Sequence, residues 1–306
     1  LAKMKNKIDK DYQENIKKES NLWNKAAEDE LKKSPPDYSY YKKTWPYLIY
    51  RNPFVIKMLN KISEGGKALE LGCYNGWFSL EMARKGARVE AHDISPKSIR
   101  IAKTYYEKCK EKEKFTGSIS YHITDLNYPN FPKNIYDVVV IRNVLHHLIN
   151  LDDLFLQLFR SLKSNGLILI DDALPCGQKE ALLSGILLTL FPTDIPYSKK
   201  LQRIFKKRNI LKRTQGLVDA KGASPFESIS SGDKSVKYLK KYFNVTHFST
   251  FSAFVGTIAA HISFNKFLKK LTLKMLNIID RFLIKIGLLK GTCFFLIAIK
   301  QKIKVK

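Results

Sequence analysis

The feature that most constrains the fold is a regular alternation of short apolar segments and helix-forming segments between residues 67 and 170. Short runs rich in Val, Ile and Leu predict buried strands, and Ser95-Pro96 and Gly86 are typical helix start and stop signals. The predicted strands are Lys67–Leu71, Arg88–His92, Ile119–Thr124, Asp137–Ile141 and Leu167–Ile170. The predicted helices are Trp77–Lys85, Pro96–Lys112 and Asn150–Lys163. Because strands joined through helices run parallel, the alternation predicts an α/β fold with a doubly wound, mostly parallel sheet.

The pattern continues less regularly on either side. Two further strands, Asn244–Phe251 and Thr292–Lys300, follow helices that are expected over Ser235–Tyr242 and Phe264–Leu289, and they bring the expected sheet to seven strands. Residues 1–35 are expected to form a polar helix. We therefore expect three parts, which are a helical and aromatic extension (1–60), an α/β core (61–175) and a helical cap and substrate region that supplies the last two strands (176–306).

The chain is strongly basic. It carries 54 Lys and Arg against 28 Asp and Glu, a formal net charge of +26 over 306 residues, while 44% of its residues are apolar. The apolar fraction excludes wholesale disorder. The charge is densest in Lys199–Arg213, with eight basic residues and no acid, and in Phe264–Lys306, with eleven basic residues and one acid, Asp280. Such a charge favours nucleic acid, an anionic membrane or a phosphorylated substrate as partner, and a generally Lys-rich composition explains it equally well.

Several classes of protein are disfavoured by the residue pattern. The four cysteines form no CxxC pair, so neither a disulfide framework nor a zinc knuckle is expected. Leu1–Glu30 is rich in Lys and Glu and has no apolar run of the secretory type. No window reaches the about 20 uninterrupted apolar residues of a membrane span. We expect a cytoplasmic protein, with peripheral contact of its basic segments at the inner face of a membrane as an alternative.

The segment that carries the chemistry is Ala68–Gly76 (ALELGCYNG). A strand ends, a tight turn follows, and Gly76 opens a helix whose first amides would face a ligand. A dinucleotide cradle needs G-x-G-x-x-G. After Gly72 the next two glycine positions are Tyr74 and Trp77, so a phosphate-bearing dinucleotide is disfavoured.

Acidic residues follow three successive predicted strands. Glu70 ends the first strand, and Asp93 and Asp125 follow the second and the third. The fourth strand lies in the segment YDVVVIRNVLHHL at residues 136–148. In this order the pattern resembles the class I S-adenosylmethionine-dependent methyltransferases, over about residues 45–175.

The first motif of that family is an acidic residue followed by x-Gly-x-Gly-x-Gly. Glu70, Gly72 and Gly76 match it, and Tyr74 stands in place of the middle glycine. The resemblance implies the seven-stranded sheet of this family and a Rossmann-like, cofactor-binding core over residues 61–175. It also implies S-adenosyl-L-methionine as cofactor and S-adenosyl-L-homocysteine as product.

The resemblance assigns the cofactor contacts, and physical chemistry agrees for the acids. Asp93 lies 17 residues beyond Gly76, where a carboxylate can accept from both ribose hydroxyls. Glu70 suits a cationic ligand, Asp125 would accept from the adenine amine, and the Leu126 amide could donate to the ring. The implied contacts are Glu70, Gly72, Cys73, Gly76, Trp77, Asp93, Ile94, Asp125, Leu126 and Asn143.

Methyl transfer to a hydroxyl benefits from a general base. The candidates at the ends of the fourth and fifth strands are His146, His147, Asp171 and Asp172. His147 can also be interpreted as a helix-start residue that packs on the cofactor. The two adjacent aspartates can be interpreted as a divalent-metal site, but no third ligand is near them in the sequence, so we expect metal independence.

Three functions stay open. The favoured one is O-methylation of a sugar hydroxyl in a glycan, or of a related small acceptor, because the polar loop Ser224–Gly232 weakly resembles loops of such methyltransferases; that loop equally well caps the following helix. The second is an RNA methyltransferase, suggested by the charge, although no RNA-binding module is recognised. The third is a catalytically silent cofactor- or membrane-binding module, which Tyr74 permits.

Overall fold

The computed structural model describes residues 2–33, 48–206, 224–226 and 231–301. The helices are α1 (Ala2–Lys33), α2 (Leu48–Leu59), α3 (Trp77–Arg84), α4 (Pro96–Lys112), α5 (Leu151–Ser161), α6 (Gln178–Leu190), α7 (Tyr197–Lys206), α8 (Ser231–Tyr242), α9 (Val255–His261) and α10 (Lys266–Lys285). The strands are β1 (Lys67–Leu71), β2 (Arg88–Asp93), β3 (Ser118–Ile123), β4 (Tyr136–Arg142), β5 (Leu162–Ala173), β6 (Phe243–Phe251) and β7 (Cys293–Lys300).

The strands form one sheet in the order β3-β2-β1-β4-β5-β7-β6. The pairs from β3 to β5 are parallel, and β7 runs antiparallel to both β5 and β6. The predicted doubly wound, mostly parallel seven-stranded sheet is thus confirmed. The carboxyl ends of β1, β2 and β4 meet at one edge, which is where ligands bind in open α/β sheets.

Apolar side chains cover both faces of the sheet because successive residues of a strand point in opposite directions. In β1, Ala68 packs in the cluster on one face, with Phe78 of α3. Leu69 and Leu71 pack in the cluster on the other face, with Phe155 of α5. Both faces of the sheet are therefore buried from solvent, which agrees with the uninterrupted apolar runs that predicted these strands.

The C-terminal part departs from the sequence prediction. A short helix, α9, precedes α10 in a stretch where the pattern predicted no element. The single helix expected over residues 264–289 is shorter and spans Lys266–Lys285. The buried carboxylate of Asp280 joins the two helices, because it accepts hydrogen bonds from the backbone amides of Ala253–Val255 at the start of α9. A side chain of α10 thus satisfies amide groups that a helix leaves unpaired at its start.

Two predicted segments fall partly outside the described residues. The basic segment Lys199–Arg213 is described only as far as Lys206, where α7 ends. Of the loop Ser224–Gly232, residues 224–226 are described, and Ser231 already belongs to α8.

The N-terminal helix α1 lies across the carboxyl edge of the sheet. Asn24 of α1 accepts hydrogen bonds from the Ser95 hydroxyl (2.8 Å) and from the Lys97 amide (3.1 Å) at the start of α4. The Ser20 hydroxyl donates to the carbonyl of Ile94, at 3.1 Å. The sequence predicted the helix but not its place, and its polar contacts put it directly over the expected ligand edge.

Candidate active site

A cavity of about 380 Å³ opens at the carboxyl ends of β1, β2 and β4. Its walls come from the sheet edge, from α1 and from the start of α2. The residues that line it are Ile16, Glu19, Trp23, Glu30, Tyr50, Arg51, Glu70, Gly72, Cys73, Tyr74, Trp77, Asp93, Ile94, Thr124, Asp125, Leu126, Asn127, Arg142, Asn143, Val144, His147, Leu148 and Phe226.

The turn after β1 brings backbone close to the loop after β4. Gly72 has a φ of 71°, and a Cβ there would lie 2.7 Å from the Cβ of Val144. The amides of Gly72 and Cys73 donate to the carbonyl of His92, at 2.8 and 3.0 Å. Gly76 also has a positive φ, 78°, but a Cβ there would meet Ala102 and Tyr121, so this glycine lets α3 pack closely. Glycine is thus required at both positions, for different reasons.

Tyr74, which replaces the middle glycine of the motif, adopts the left-handed conformation with a φ of 49°. Its amide donates to Asp93 Oδ2 at 2.8 Å. Its ring meets Trp23 of α1 edge-on, with 5.9 Å between ring centroids. The side chain therefore becomes part of the cavity wall and contacts α1.

Two buried carboxylates face the cavity from the first two strands. Burial raises the pKa of Glu70 to about 7, against the opposing effects of the Ser79 hydroxyl that donates to it and of the nearby Arg142 charge. Burial likewise raises the pKa of Asp93 to about 6, although the amides of Tyr74 and Ser95 donate to its two oxygens. Both groups are ionised only at the cost of desolvation, which a cationic or hydrogen-bonding ligand would relieve.

Asp125 lies at the far end of the cavity, beyond β3. Its Oδ2 accepts a hydrogen bond from the hydroxyl of Tyr12 in α1 at 2.6 Å, and its Oδ1 accepts from the amide of Asn127 at 3.0 Å. Leu126 is buried beside it and also lines the cavity. Helix α1 therefore already contacts a carboxylate that the sequence resemblance assigned to the adenine amine.

Of the four candidate bases, His147 lines the cavity, whereas His146, Asp171 and Asp172 are not among the lining residues. Asp172 is buried and holds the loop after β4. Its Oδ1 lies 2.6 Å from Nδ1 of His146, and its Oδ2 accepts from the amides of Val144 and Leu145. Burial pushes the pKa of Asp172 upward, but the hydrogen bonds from His146 and from the backbone hold it below its ordinary value.

His147 belongs to a hydrogen-bonded group that reaches into α1. Its Nδ1 lies 3.2 Å from the hydroxyl oxygen of Ser224 and 3.4 Å from Oε1 of Glu19. The Ser224 hydroxyl donates to Glu19 Oε2 at 2.5 Å, and Trp23 Nε1 donates to Glu19 Oε1 at 2.7 Å. Burial and the neighbouring His146 lower the pKa of His147 to about 4, so the ring is neutral at neutral pH.

The hydrogen bonds decide the tautomer of His147. Because the Ser224 hydroxyl donates its proton to Glu19, its oxygen is free to accept from the ring. Glu19 also presents an acceptor to the same nitrogen. The proton is therefore assigned to Nδ1, which leaves Nε2 as the nitrogen that can take a proton.

Two arginines that the sequence did not single out lie at the opposite end of the cavity. Arg51 of α2 donates to Asp171 Oδ2 and to Asn143 Oδ1, each at 3.3 Å. Arg142 lies 3.7 Å from the same Asp171 oxygen, and its guanidinium carbon is 4.6 Å from the ring centroid of Trp77. Two cations thus share the buried carboxylate of Asp171 at this end of the cavity.

The structure gathers most of the expected contacts in one place. Among the ten residues expected to contact the cofactor, nine line the cavity, namely Glu70, Gly72, Cys73, Trp77, Asp93, Ile94, Asp125, Leu126 and Asn143. Gly76 is the exception, for the packing reason given above. The sequence reasoning missed the contributions of α1 and Arg51. A detectable signal was the stripe Tyr12, Ile16, Trp23 and Ala27, with the carboxylate of Glu19 inside it.

Among the residues that the structure describes, one group of metal-ligand type lies outside the cavity. Ligand atoms of Glu90, His92 and His122 all lie within 4.8 Å of one another on β2 and β3. His92 Nε2 is already 3.3 Å from Glu90, and the Lys67 ammonium lies 3.6 Å from the same carboxylate. The negative charge of Glu90 is therefore matched by a protein cation.

The donors of the cavity fit S-adenosylmethionine. The cofactor combines an amino acid, a ribose diol and an adenine. The strand order places groups of complementary chemistry in the same order along the sheet edge, from Arg51 beside β4 and β5 to Asp125 beyond β3. Arg51 and Glu70 suit the carboxylate and the ammonium, Asp93 suits the diol, and Asp125 suits the adenine amine. The close approach of backbone at Gly72 leaves room for a ligand over the turn.

Comparison with known proteins agrees with this reading of the site. A model of a methyltransferase domain family matches residues 47–211, more than half of the chain. The chain is 28% identical over 158 residues to the mitochondrial ubiquinone biosynthesis O-methyltransferase of Schizosaccharomyces pombe, covering 51% of this chain and 56% of that protein. It is 29% identical over 118 residues to phosphoethanolamine N-methyltransferase 1 of Zea mays, covering 38% of this chain and 22% of that protein.

The alignments span about half the length of these relatives or less. The fold matches the crystal structure of geranyl diphosphate C-methyltransferase from Streptomyces coelicolor A3(2), with a TM-score of 0.51 and 12% identity. That match covers 82% of this chain and 75% of the other. The sheet order, the site and the matched family model together place the chain in the class I methyltransferases, which use S-adenosylmethionine as methyl donor.

Proposed function

We propose that this protein transfers the methyl group of S-adenosylmethionine to a hydroxyl of a small acceptor with an apolar body. The observation that carries the proposal is the His147–Glu19 pair in the wall of the cavity that the carboxylates of the first two strands also line. A neutral imidazole, oriented by a carboxylate, is the arrangement that removes a hydroxyl proton. The bound cofactor supplies an electrophilic methyl group on a sulfonium.

His147 acts as the base in this proposal. Its Nδ1–H faces Ser224 and Glu19, so its Nε2 is the proton acceptor. Its lowered pKa keeps the ring neutral at neutral pH. A base this weak takes the proton late, as the acceptor oxygen becomes acidic while it is methylated. Glu19 then stabilises the imidazolium that forms.

The strand-end residues position the cofactor. We assign Arg51 to the methionine carboxylate and Glu70 to the ammonium, because they are the matched charges at that end of the cavity. Asp93 holds the ribose, and Asp125 with Leu126 holds the adenine. Positioning of this kind, with exclusion of water, supplies much of the catalysis of methyl transfer.

The buried candidates are assigned to positioning. Asp172 ties His146 and the backbone of the loop after β4 into one unit, directly before His147. Asp171 holds Arg51 and Arg142 at the cavity end. Both carboxylates are buried and neither lines the cavity, so we assign neither of them the role of base.

The walls favour an apolar acceptor. Trp23, Tyr50, Trp77 and Phe226 line the cavity, and aromatic side chains of this kind suit a flat or hydrocarbon body better than a sugar. The relatives named as O-methyltransferases support a hydroxyl as the acceptor group. The glycan acceptor expected from the loop Ser224–Gly232 gains no support from these walls.

The test is transfer of a radiolabelled methyl group from S-adenosylmethionine into a fractionated extract of the cells that make the protein. Wild type, His147→Ala and Glu19→Gln would be compared, with the exposed His122→Ala as matched control. We expect label in an apolar extract and a loss of about 10²-fold or more in rate for His147→Ala, with cofactor affinity unchanged. His122→Ala should behave as wild type.

Each other outcome has a distinct meaning. Label in the saccharide fraction would return the acceptor to a glycan. Label released by ribonuclease would point to RNA methylation. Full activity of His147→Ala would show that His147 is not the general base. Confirmed cofactor binding without label in any fraction would favour a catalytically silent module.

A further inference from the structure

Helix α10 has two apolar faces. Its inner face is buried against the protein through Leu273, Leu276 and Asp280. Its outer face, together with the residues that follow it, carries large apolar side chains that no part of the described chain covers. These are Phe267, Leu268, Leu271, Met275, Ile278, Ile279, Phe282, Ile286 and Leu288. Phe267 is 79% exposed and Ile278 is 70% exposed. Soluble proteins rarely expose so many large apolar side chains next to one another.

The outer face is a continuous stripe. Six of its members, residues 267, 271, 275, 278, 282 and 286, recur every three or four positions and so lie above one another on the helix. The helix has 20 residues, and at 1.5 Å per residue the stripe is about 30 Å long. This is an extended ridge rather than a pocket.

One edge of the stripe is a row of cations. Lys270, Lys274, Arg281 and Lys285 are exposed, and the helical period puts them side by side along the stripe. The only acid between residues 264 and 306 is Asp280, which is buried and bonded to the start of α9. The row therefore has no carboxylate on its own helix.

We propose that the outer face of α10 docks on the surface of an anionic lipid bilayer. The apolar stripe enters the boundary between head groups and acyl chains, and the row of cations meets lipid phosphates. In the part of the chain that the structure describes, no helix has the length and apolar character needed to cross a bilayer. The helix therefore lies in the plane of the membrane.

Charge distinguishes this occupant from a second copy of the chain. A second copy would bring an identical row of cations and no acid from α10 to pair with it. An anionic bilayer supplies the missing negative charge over the whole length of the ridge. The net charge of +26 favours the same partner.

The docked helix is linked to the cavity. The inner face of α10 packs in the same cluster as Ile49 and Tyr50 of α2, and Tyr50 also lines the cavity. Docking would hold the cavity near the lipid surface, where an apolar acceptor concentrates. This link, unlike the docking itself, rests on the proposed function.

The experiment is co-sedimentation of the full chain with vesicles of phosphatidylcholine alone or with about one-third phosphatidylglycerol. The double variant Ile278→Ser/Phe282→Ser reduces the stripe, and Lys270→Gln/Lys274→Gln/Lys285→Gln reduces the cation row. The control Lys103→Gln/Lys108→Gln/Lys110→Gln removes the same charge from α4. Insertion is read directly from Phe282→Trp, whose emission should shift to the blue on anionic vesicles.

We expect binding to anionic vesicles only. The stripe variant should lower the partition coefficient by about tenfold or more, and the cation variant by about fivefold per lysine. The α4 control should lower it much less. Binding that survives both α10 variants, or equal binding to neutral vesicles, would overturn the proposal. So would a wild-type dimer by light scattering that fails to bind vesicles and that the stripe variant dissociates.

Discussion

Replacement of Glu70 by Gln should raise the stability of the folded protein at high pH and weaken its binding of the cofactor. Burial raises the pKa of Glu70 from 4.5 to about 7. A carboxyl whose pKa is raised on folding holds its proton more tightly in the folded state, so stability falls as the pH rises from 4.5 through 7. At 1.36 kcal/mol per pKa unit, the ionised form costs the folded state about 3 kcal/mol above pH 7. Gln keeps the shape and can still bond to Ser79 without that charge.

We therefore expect Glu70→Gln to be more stable than wild type by up to about 3 kcal/mol near pH 8.5 and by little near pH 4.5. The measurement is urea-induced unfolding of the cofactor-free protein at both pH values, together with calorimetric binding of S-adenosylhomocysteine. Binding should weaken, since the ammonium loses its partner charge.

The matched control is Asp137→Asn. Burial pushes the pKa of Asp137 upward, but hydrogen bonds from Lys163 and from the Lys67 amide lower it overall. Since that pKa lies below its ordinary value of 3.8, Asp137 is ionised at both pH values, and this variant should be less stable than wild type by the same amount at both. A stability difference for Glu70→Gln that is the same at both pH values would refute the reasoning, because the charge would then not be its source.

Three further results are expected for cofactor binding, each measured by calorimetry. Tyr12→Phe frees an oxygen of Asp125 and should tighten binding by about threefold to tenfold, whereas weaker binding would show that the phenol supports the site. Arg51→Met should weaken binding by about tenfold or more, and Arg51→Lys should recover part of the loss. Equal binding by wild type and both variants would show that Arg51 does not bind the methionine carboxylate of the cofactor. The pKa values of Asp93 and Glu70 are raised to about 6 and about 7, so the dissociation constant should rise as the pH falls through 7 and rise more steeply below 6, where both carboxyls are protonated. A flat profile would contradict a requirement for their ionised forms.

The sheet and its ligand edge were predictable because they depend on local patterns. Apolar runs of strand length identified β1, β2, β4 and β5, and the helix start at Ser95-Pro96 was right, since the Ser95 hydroxyl accepts from the Ser98 amide at 3.0 Å. Carboxylates placed directly after successive parallel strands must meet at one edge. That geometric necessity located Glu70, Asp93 and Asp125 without a structure.

The acceptor side was not predictable for a physical reason. Helix α1 carries charges on all sides, and its short stripe of apolar and aromatic side chains does not say which surface it packs against. Its contacts with that surface combine ring contacts, such as that of Trp23 with Tyr74, and single hydrogen bonds, such as that of Tyr12 to Asp125. Arg51 lies 120 residues from its partner Asp171, and no motif connects them. Such long-range polar pairs depend on the finished fold. The choice among His146, His147 and the aspartates likewise required burial and partners, which the sequence does not carry.

The way in which α1 is attached has a consequence for turnover. Among its described side chains, Glu19 and Ala27 are the buried ones. Half-buried side chains make its other contacts, which include the ring contacts of Tyr12 and Trp23 and the hydrogen bonds of Ser20 and Asn24. A wall held in this manner detaches at a lower free energy than that needed to open the sheet. We therefore expect the exchange of S-adenosylhomocysteine for S-adenosylmethionine to depend on how long α1 stays docked over the sheet edge. The residence time of the product can therefore change through the outer side of α1 without any change at the reacting atoms.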